Sequence, residues 1–92
     1  MKILFSLLSL TVLTQAYHNI EDYGAVQRRS FLETEFKNAE AMKKAILAAN
    51  SSDDRVVYVP AGDFFSMMPV QIYNVSNVTL KIDGLIRLSE DD

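Results

Sequence analysis

The chain has 92 residues, with 9 Lys and Arg against 12 Asp and Glu, one histidine and no cysteine, for a formal net charge of −3. This acidity argues against nucleic acid as a partner, and the lack of cysteine excludes the disulfide framework that staples many small extracellular domains. Stability must come from burial, in a chain of a size that buries only about 60% of its unfolded surface.

The first residues set the compartment. Lys2 precedes the apolar run Ile3-Leu4-Phe5-Ser6-Leu7-Leu8-Ser9-Leu10-Thr11-Val12-Leu13, and Thr14-Gln15-Ala16 follows with a small residue at its end. Residues 1–16 therefore read as a secretory signal peptide cleaved after Ala16, because a membrane-spanning helix wants roughly 20 apolar residues and this run is shorter. No second apolar stretch follows, so residues 17–92 are expected to be secreted and extracellular, with no membrane contact after cleavage. Loss of Lys2 leaves 8 basic side chains facing 12 acidic ones, a net charge of −4.

His18 to Tyr23 reads as a short strand ending at Gly24, a residue free to take the positive φ of a sharp turn. Gln27 to Lys37 is polar, with Phe31, Leu32 and Phe36 embedded, and reads as a surface loop attached by its aromatics. The helix signal is the clearest: Ala39, Met42, Ala45, Ile46 and Ala49 recur at three- and four-residue spacing while Glu40, Lys43 and Lys44 fall on the other side. Asn38 is the expected N-cap. Beyond Ser51-Ser52-Asp53-Asp54 the period changes. Val56 to Val59 reads as a strand buried on both faces, ended by Pro60-Ala61-Gly62. Met67-Met68, next to Phe64-Phe65 and Pro69, reads as core filler rather than a soft ligand or a binding patch. Val78, Leu80 and Ile82 alternate with Thr79, Lys81 and Asp83, which predicts one inward and one solvated face. Gly84 closes that strand 22 positions after Gly62, an interval that suits successive layers of a solenoid, continued by Leu85, Ile86 and Leu88.

Three segments in order carry a resemblance: Asp22-Tyr23-Gly24-Ala25-Val26, Val56-Val57-Tyr58-Val59-Pro60-Ala61-Gly62, and Asn77-Val78-Thr79-Leu80-Lys81-Ile82-Asp83-Gly84. With the helix between the first two and the secretory start, they resemble the N-terminal part of the polygalacturonase family of pectin-degrading glycoside hydrolases. The resemblance implies a mainly β fold, the beginning of a right-handed parallel β-helix of the pectin lyase type with one N-terminal capping α-helix, as a single incomplete domain over residues 17–92. It covers nearly all of those residues and ends before the family's chemistry. The family's Asn-Thr-Asp segment, Asp-Asp pair, Gly-His-Gly and Arg-Ile-Lys are absent from this chain, and Asp91-Asp92 lacks the flanking residues of the Asp-Asp motif. No catalytic residue is assigned. The chain also departs from the family where Gln27-Arg28-Arg29 stands in place of a Gly-Asp-Gly turn and Asn38-Ala39 in place of an Asp-Thr helix start.

The residues themselves offer no better catalytic set. Glycoside hydrolysis uses an acid and a base across the scissile bond, but Asp53-Asp54 stands in an exposed connection and Asp91-Asp92 at a terminus. Asp22 and Asp83 precede turn glycines and suit turn chemistry. His18, beside the cleavage point, is expected at the surface, and a Ser-His-Asp arrangement built on it is set aside. No spacing suits a metal, and no cofactor is implied. Arg28-Arg29 reads as solvated charge. Three sequons, Asn50-Ser51-Ser52, Asn74-Val75-Ser76 and Asn77-Val78-Thr79, are potential N-glycosylation sites in a secreted chain. Asn50, past the helix end and expected to be exposed, is the favoured one, while Asn74 and Asn77 are explained by turn formation.

Three functional readings follow. The first is the N-terminal part of a secreted, monomeric polygalacturonase-like hydrolase acting on the anionic polysaccharide pectin, with a pectate lyase or epimerase as its enzymatic neighbour. The second is a noncatalytic secreted β-helix binding or adhesin protein. The third is a small secreted domain complete at residue 92.

Overall fold

The computed structural model describes residues 17–89. Residues 1–16, expected to be a signal peptide cleaved after Ala16, and Asp91-Asp92 lie outside them. The chain runs through strand β1 (Tyr17–Asn19), a 3-10 turn (Ile20–Tyr23), helix α1 (Leu32–Asn50), and strands β2 (Val56–Val59), β3 (Phe64–Met67), β4 (Thr79–Ile82) and β5 (Leu85–Leu88). All pairing is parallel. β1, β2 and β4 form one sheet in that order, and β3 pairs with β5 in a second. Val56 lies opposite Tyr17 on one side and Thr79 on the other, and Phe64 lies opposite Leu85.

The helix is longer than its apolar stripe predicts, because it begins at Leu32. Residues 32–37, expected as loop, form its first turns. Leu32, Glu33, Glu35 and Lys37 are sound helix formers, and Glu33 and Glu35 place negative charge at the positive end of the helix dipole. Asn38 is consequently an interior helix residue rather than the N-cap. Phe31 holds the cap position and makes no side-chain capping bond. Asn38 is instead fully buried. Its amide oxygen accepts from the Val26 backbone N–H at 2.8 Å, and its Nδ2 donates to the carbonyls of Val26 at 3.0 Å and Ser66 at 2.8 Å. One helical side chain thus fastens the loop after the 3-10 turn and strand β3 to α1.

Strand β1 is shorter than predicted. After Asn19 the chain turns into the 3-10 segment, where the Asn19 side chain accepts from the Glu21 N–H at 2.9 Å and Gly24 closes the turn at φ 109°. This buries Ile20 completely. β2 matches its predicted bounds but alternates: Val57 and Val59 are buried, while Val56 and Tyr58 are half-buried. β4 departs most from its pattern. Leu80 and Ile82, expected inward, are 47% and 48% exposed, because no element of the described residues covers the end of the sheet on which they lie.

The fold is α/β, which corrects the expectation of a mainly β chain opening a right-handed parallel β-helix behind a capping helix. Eleven apolar residues form the buried core of the described residues, and five of them, Ala41, Met42, Ala45, Ile46 and Ala49, come from α1. The strands, three or four residues each, supply only Val57, Val59, Phe65 and Met67. The helix therefore supplies five of the eleven core residues and is not a lid over a stack of coils, and the strands form two small parallel sheets. Gly62 and Gly84 mark a shared corner rather than a period. A Cβ on Gly84 would run into the Pro60 carbonyl oxygen, so the β4–β5 turn lies directly against the β2–β3 turn, where the Asp83 N–H reaches the Val59 carbonyl at 2.9 Å.

Candidate functional site

Asp22, Asp53 and Asp54 are exposed. Asp63 pairs with Arg28, Nε to Oδ2 at 2.8 Å, with both side chains largely in solvent, which answers for one half of Arg28-Arg29. Arg29 is exposed. Asp83 stands 4.0 Å from the Lys81 ammonium and accepts a hydrogen bond from the Tyr58 phenol. That bond, helped by desolvation and the Asp83 charge, raises the Tyr58 pKa above its ordinary 10.0, against the opposing pull of Lys81. Among the described residues, Glu35 is the one buried carboxylate. It accepts from the Ser66 hydroxyl at 3.1 Å, and its backbone carbonyl takes the Met68 N–H. A general acid must reach its substrate, and Glu35 is only 8% exposed.

His18 is more engaged than its position near the terminus suggests. It is half-buried, with Nδ1 3.0 Å from the Tyr23 hydroxyl and Nε2 3.0 Å from the Ser52 hydroxyl, while Ser52 Oγ donates to the Asp54 carbonyl at 2.9 Å. Since the serine proton is committed to Asp54, the consistent assignment has Nε2–H donating to Ser52 and Tyr23 donating to Nδ1. A nucleophilic serine needs the opposite polarity, in which the imidazole accepts the hydroxyl proton. Ser52 also follows the C-terminal end of α1, where the helix dipole is negative and cannot stabilise an oxyanion. The chain Tyr23–His18–Ser52–Asp54 is a tether between β1, the 3-10 turn and the end of the helix. The sequence alone could not reveal it, because its members are brought together by the packing of α1.

Arg55 is the second feature that sequence reasoning missed. Its guanidinium donates to the carbonyls of Asn50 (3.1 Å), Ser52 (3.2 Å), Ser76 (2.6 Å) and Asn77 (3.2 Å), and to the Asn50 side-chain oxygen (3.1 Å). α1 has no basic residue in its last turn, so this arginine supplies, from the following loop, the cation that a helix C-terminus favours. It holds the 76–77 turn against the helix end. Asn50, expected to be exposed, is therefore half-buried, its oxygen shared between Arg55 and the Ser76 N–H at 3.3 Å. Asn74 and Asn77 are exposed, and both take left-handed backbone at φ 62° and 59°, the turn role expected of them.

The described residues form an apolar groove of about 500 Å³. Met42 and Ile46 of α1, Met67 of β3, Leu80 of β4, and Ile86 and Leu88 of β5 contribute to it. It is the mouth of the core, on the side where β4 and β5 end their sheets. Met67 is a core residue, as expected, at 1% exposure. On the opposite face of the β1-β2-β4 sheet lies an aromatic pair, with Tyr17 exposed and Tyr58 half-buried. The rings of Tyr17 and Tyr58 are 5.7 Å apart, and the Lys81 ammonium is 5.0 and 5.5 Å from their centroids.

Among the described residues no group of three His, Asp or Glu could hold a metal ion, and no helix is long and apolar enough to cross a membrane. No family model, curated protein or solved structure matches the chain. The described residues present a framework with an open apolar side.

Proposed function

We propose that this chain is a noncatalytic structural part of a secreted polygalacturonase-like glycoside hydrolase acting on pectin. One observation carries the reading. The second and third segments that resemble the family form β2 and β4, which pair in parallel, and the first continues directly from β1, which pairs with the other side of β2. The three segments thus act as one structural unit. The exposed Leu80, Ile82, Leu85 and Leu88 support further polypeptide of the same enzyme covering this side, and that polypeptide would carry the acid and base.

The test uses an antibody against residues 28–33, which are exposed, to isolate the native product from culture medium. The product is expected to release reducing ends from polygalacturonate. An isolated product of the mass of residues 17–92 that leaves polygalacturonate intact would overturn the reading. A noncatalytic secreted binding protein is the second reading, favoured by the Tyr17–Tyr58–Lys81 platform, since aromatic faces beside a cation suit an acidic sugar. It requires retardation of the inert product in gels containing polygalacturonate, abolished by Y58A.

A further inference from the structure

We infer that the turn holding Asn74 and Asn77, and not Asn50, is the acceptor of a single N-linked glycan. The inference rests on the secretory part of the reading above. The modification joins Asn Nδ2 to the anomeric carbon of an oligosaccharide delivered as a polyprenyl diphosphate. The C–O bond to the diphosphate breaks, the C–N bond forms, the amide gives up one proton, and polyprenyl diphosphate leaves. The product must then fit the folded chain. At Asn50 the amide plane is fixed by two bonds to its oxygen, from Arg55 and from the Ser76 N–H. The residue itself is half-buried between the end of α1 and the 74–77 turn. A glycan there would hang from a side chain already tied by its oxygen into the contact between the helix end and the 74–77 turn.

The turn offers the reverse. Asn74 and Asn77 are exposed, and their side-chain amides make no hydrogen bond with the described residues. Their left-handed backbone, φ 62° and 59°, is set by main-chain geometry. The Ser76 and Asn77 carbonyls are held by Arg55 at 2.6 and 3.2 Å, so the loop is fixed through its backbone while both amides stay outside. Two acceptors three positions apart leave room for one glycan.

The full chain is expressed in eukaryotic secretory cells in two forms, one with its own first 16 residues and one with these replaced by an efficient signal peptide. Glycans are released by a glycosidase that converts the carrier Asn to Asp in heavy-oxygen water, and the label is mapped by peptide mass. The expected result is one label per chain, at Asn74 or Asn77, and its complete loss in the double variant Ser76→Ala with Thr79→Ala, which removes both sequons and keeps both asparagines. A label at Asn50, or no label on chains that have passed through the secretory pathway, overturns the inference. If only the form with the substituted signal is exported and it carries the label in the turn, the inference stands and the secretory reading fails.

Discussion

Asn38 shows how far one buried amide can determine a local structure. It sits on the same stripe as Ala41, Met42 and Ala45, so the sequence does place it facing the core. What the sequence lacks is its partners, which lie 12 and 28 positions away. An N-cap asparagine replaced by alanine costs about 1 kcal/mol. Removing a buried side chain that satisfies the Val26 N–H and two carbonyls is expected to cost about 3 kcal/mol. Denaturant unfolding of N38A separates the two roles, and a loss near 1 kcal/mol would contradict the buried arrangement. Tyr58 provides a second residue-scale expectation. Its raised pKa means that the folded state favours the protonated phenol. The stabilisation is complete below pH 10 and is lost as pH rises through the folded-state value. Tyrosinate absorbance of the folded chain should show one phenol titrating late, and D83N should return it toward the ordinary value.

At the scale of elements, the corner between β2 and β3 is built against the corner between β4 and β5. Gly84 has no space for a side chain, because the Pro60 carbonyl occupies it. G84A is therefore expected to destabilise by about 2 kcal/mol or more, through displaced backbone rather than lost helix or strand propensity. Thermal unfolding would show a lower Tm, and an unchanged Tm would mean that the corners do not touch. The sequence marks both glycines as turn residues. It does not say that the turns meet, and reading their interval as a repeat led to a solenoid, where the structure is an α/β fold whose helix supplies five of the eleven core residues. The helix itself was legible from Ala39 to Ala49. Its first turns were not, since Leu32 and Phe36 are exposed and an outward apolar residue erases the periodic signal that defines a buried face.

For the molecule as a whole, the open side is the dominant physical fact. β4 and β5 each end a sheet and carry apolar residues 47–59% exposed, namely Leu80, Ile82, Leu85 and Leu88. Uncovered strand edges of this kind template association. The chain purified alone is expected to self-associate with rising concentration, and L80K with L88K should hold it monomeric in light scattering while leaving the helical circular dichroism intact. Concentration-independent monomer for the unaltered chain would show that the edges are already protected.

The sequence by itself determined the helix stripe, the positions of β2 and β4, the turn asparagines and glycines, and the absence of the family's catalytic motifs, because each is encoded in neighbouring residues through propensity, period or plain composition. Only the tertiary structure decided that the core is shared evenly between helix and strands, that Asn38 is a buried fastener, that His18 bridges Tyr23 and Ser52, and that Arg55 closes the helix end over Asn50. Those outcomes depend on hydrogen bonds and contacts between residues far apart in the chain, and such partners are fixed by packing, which no local pattern records.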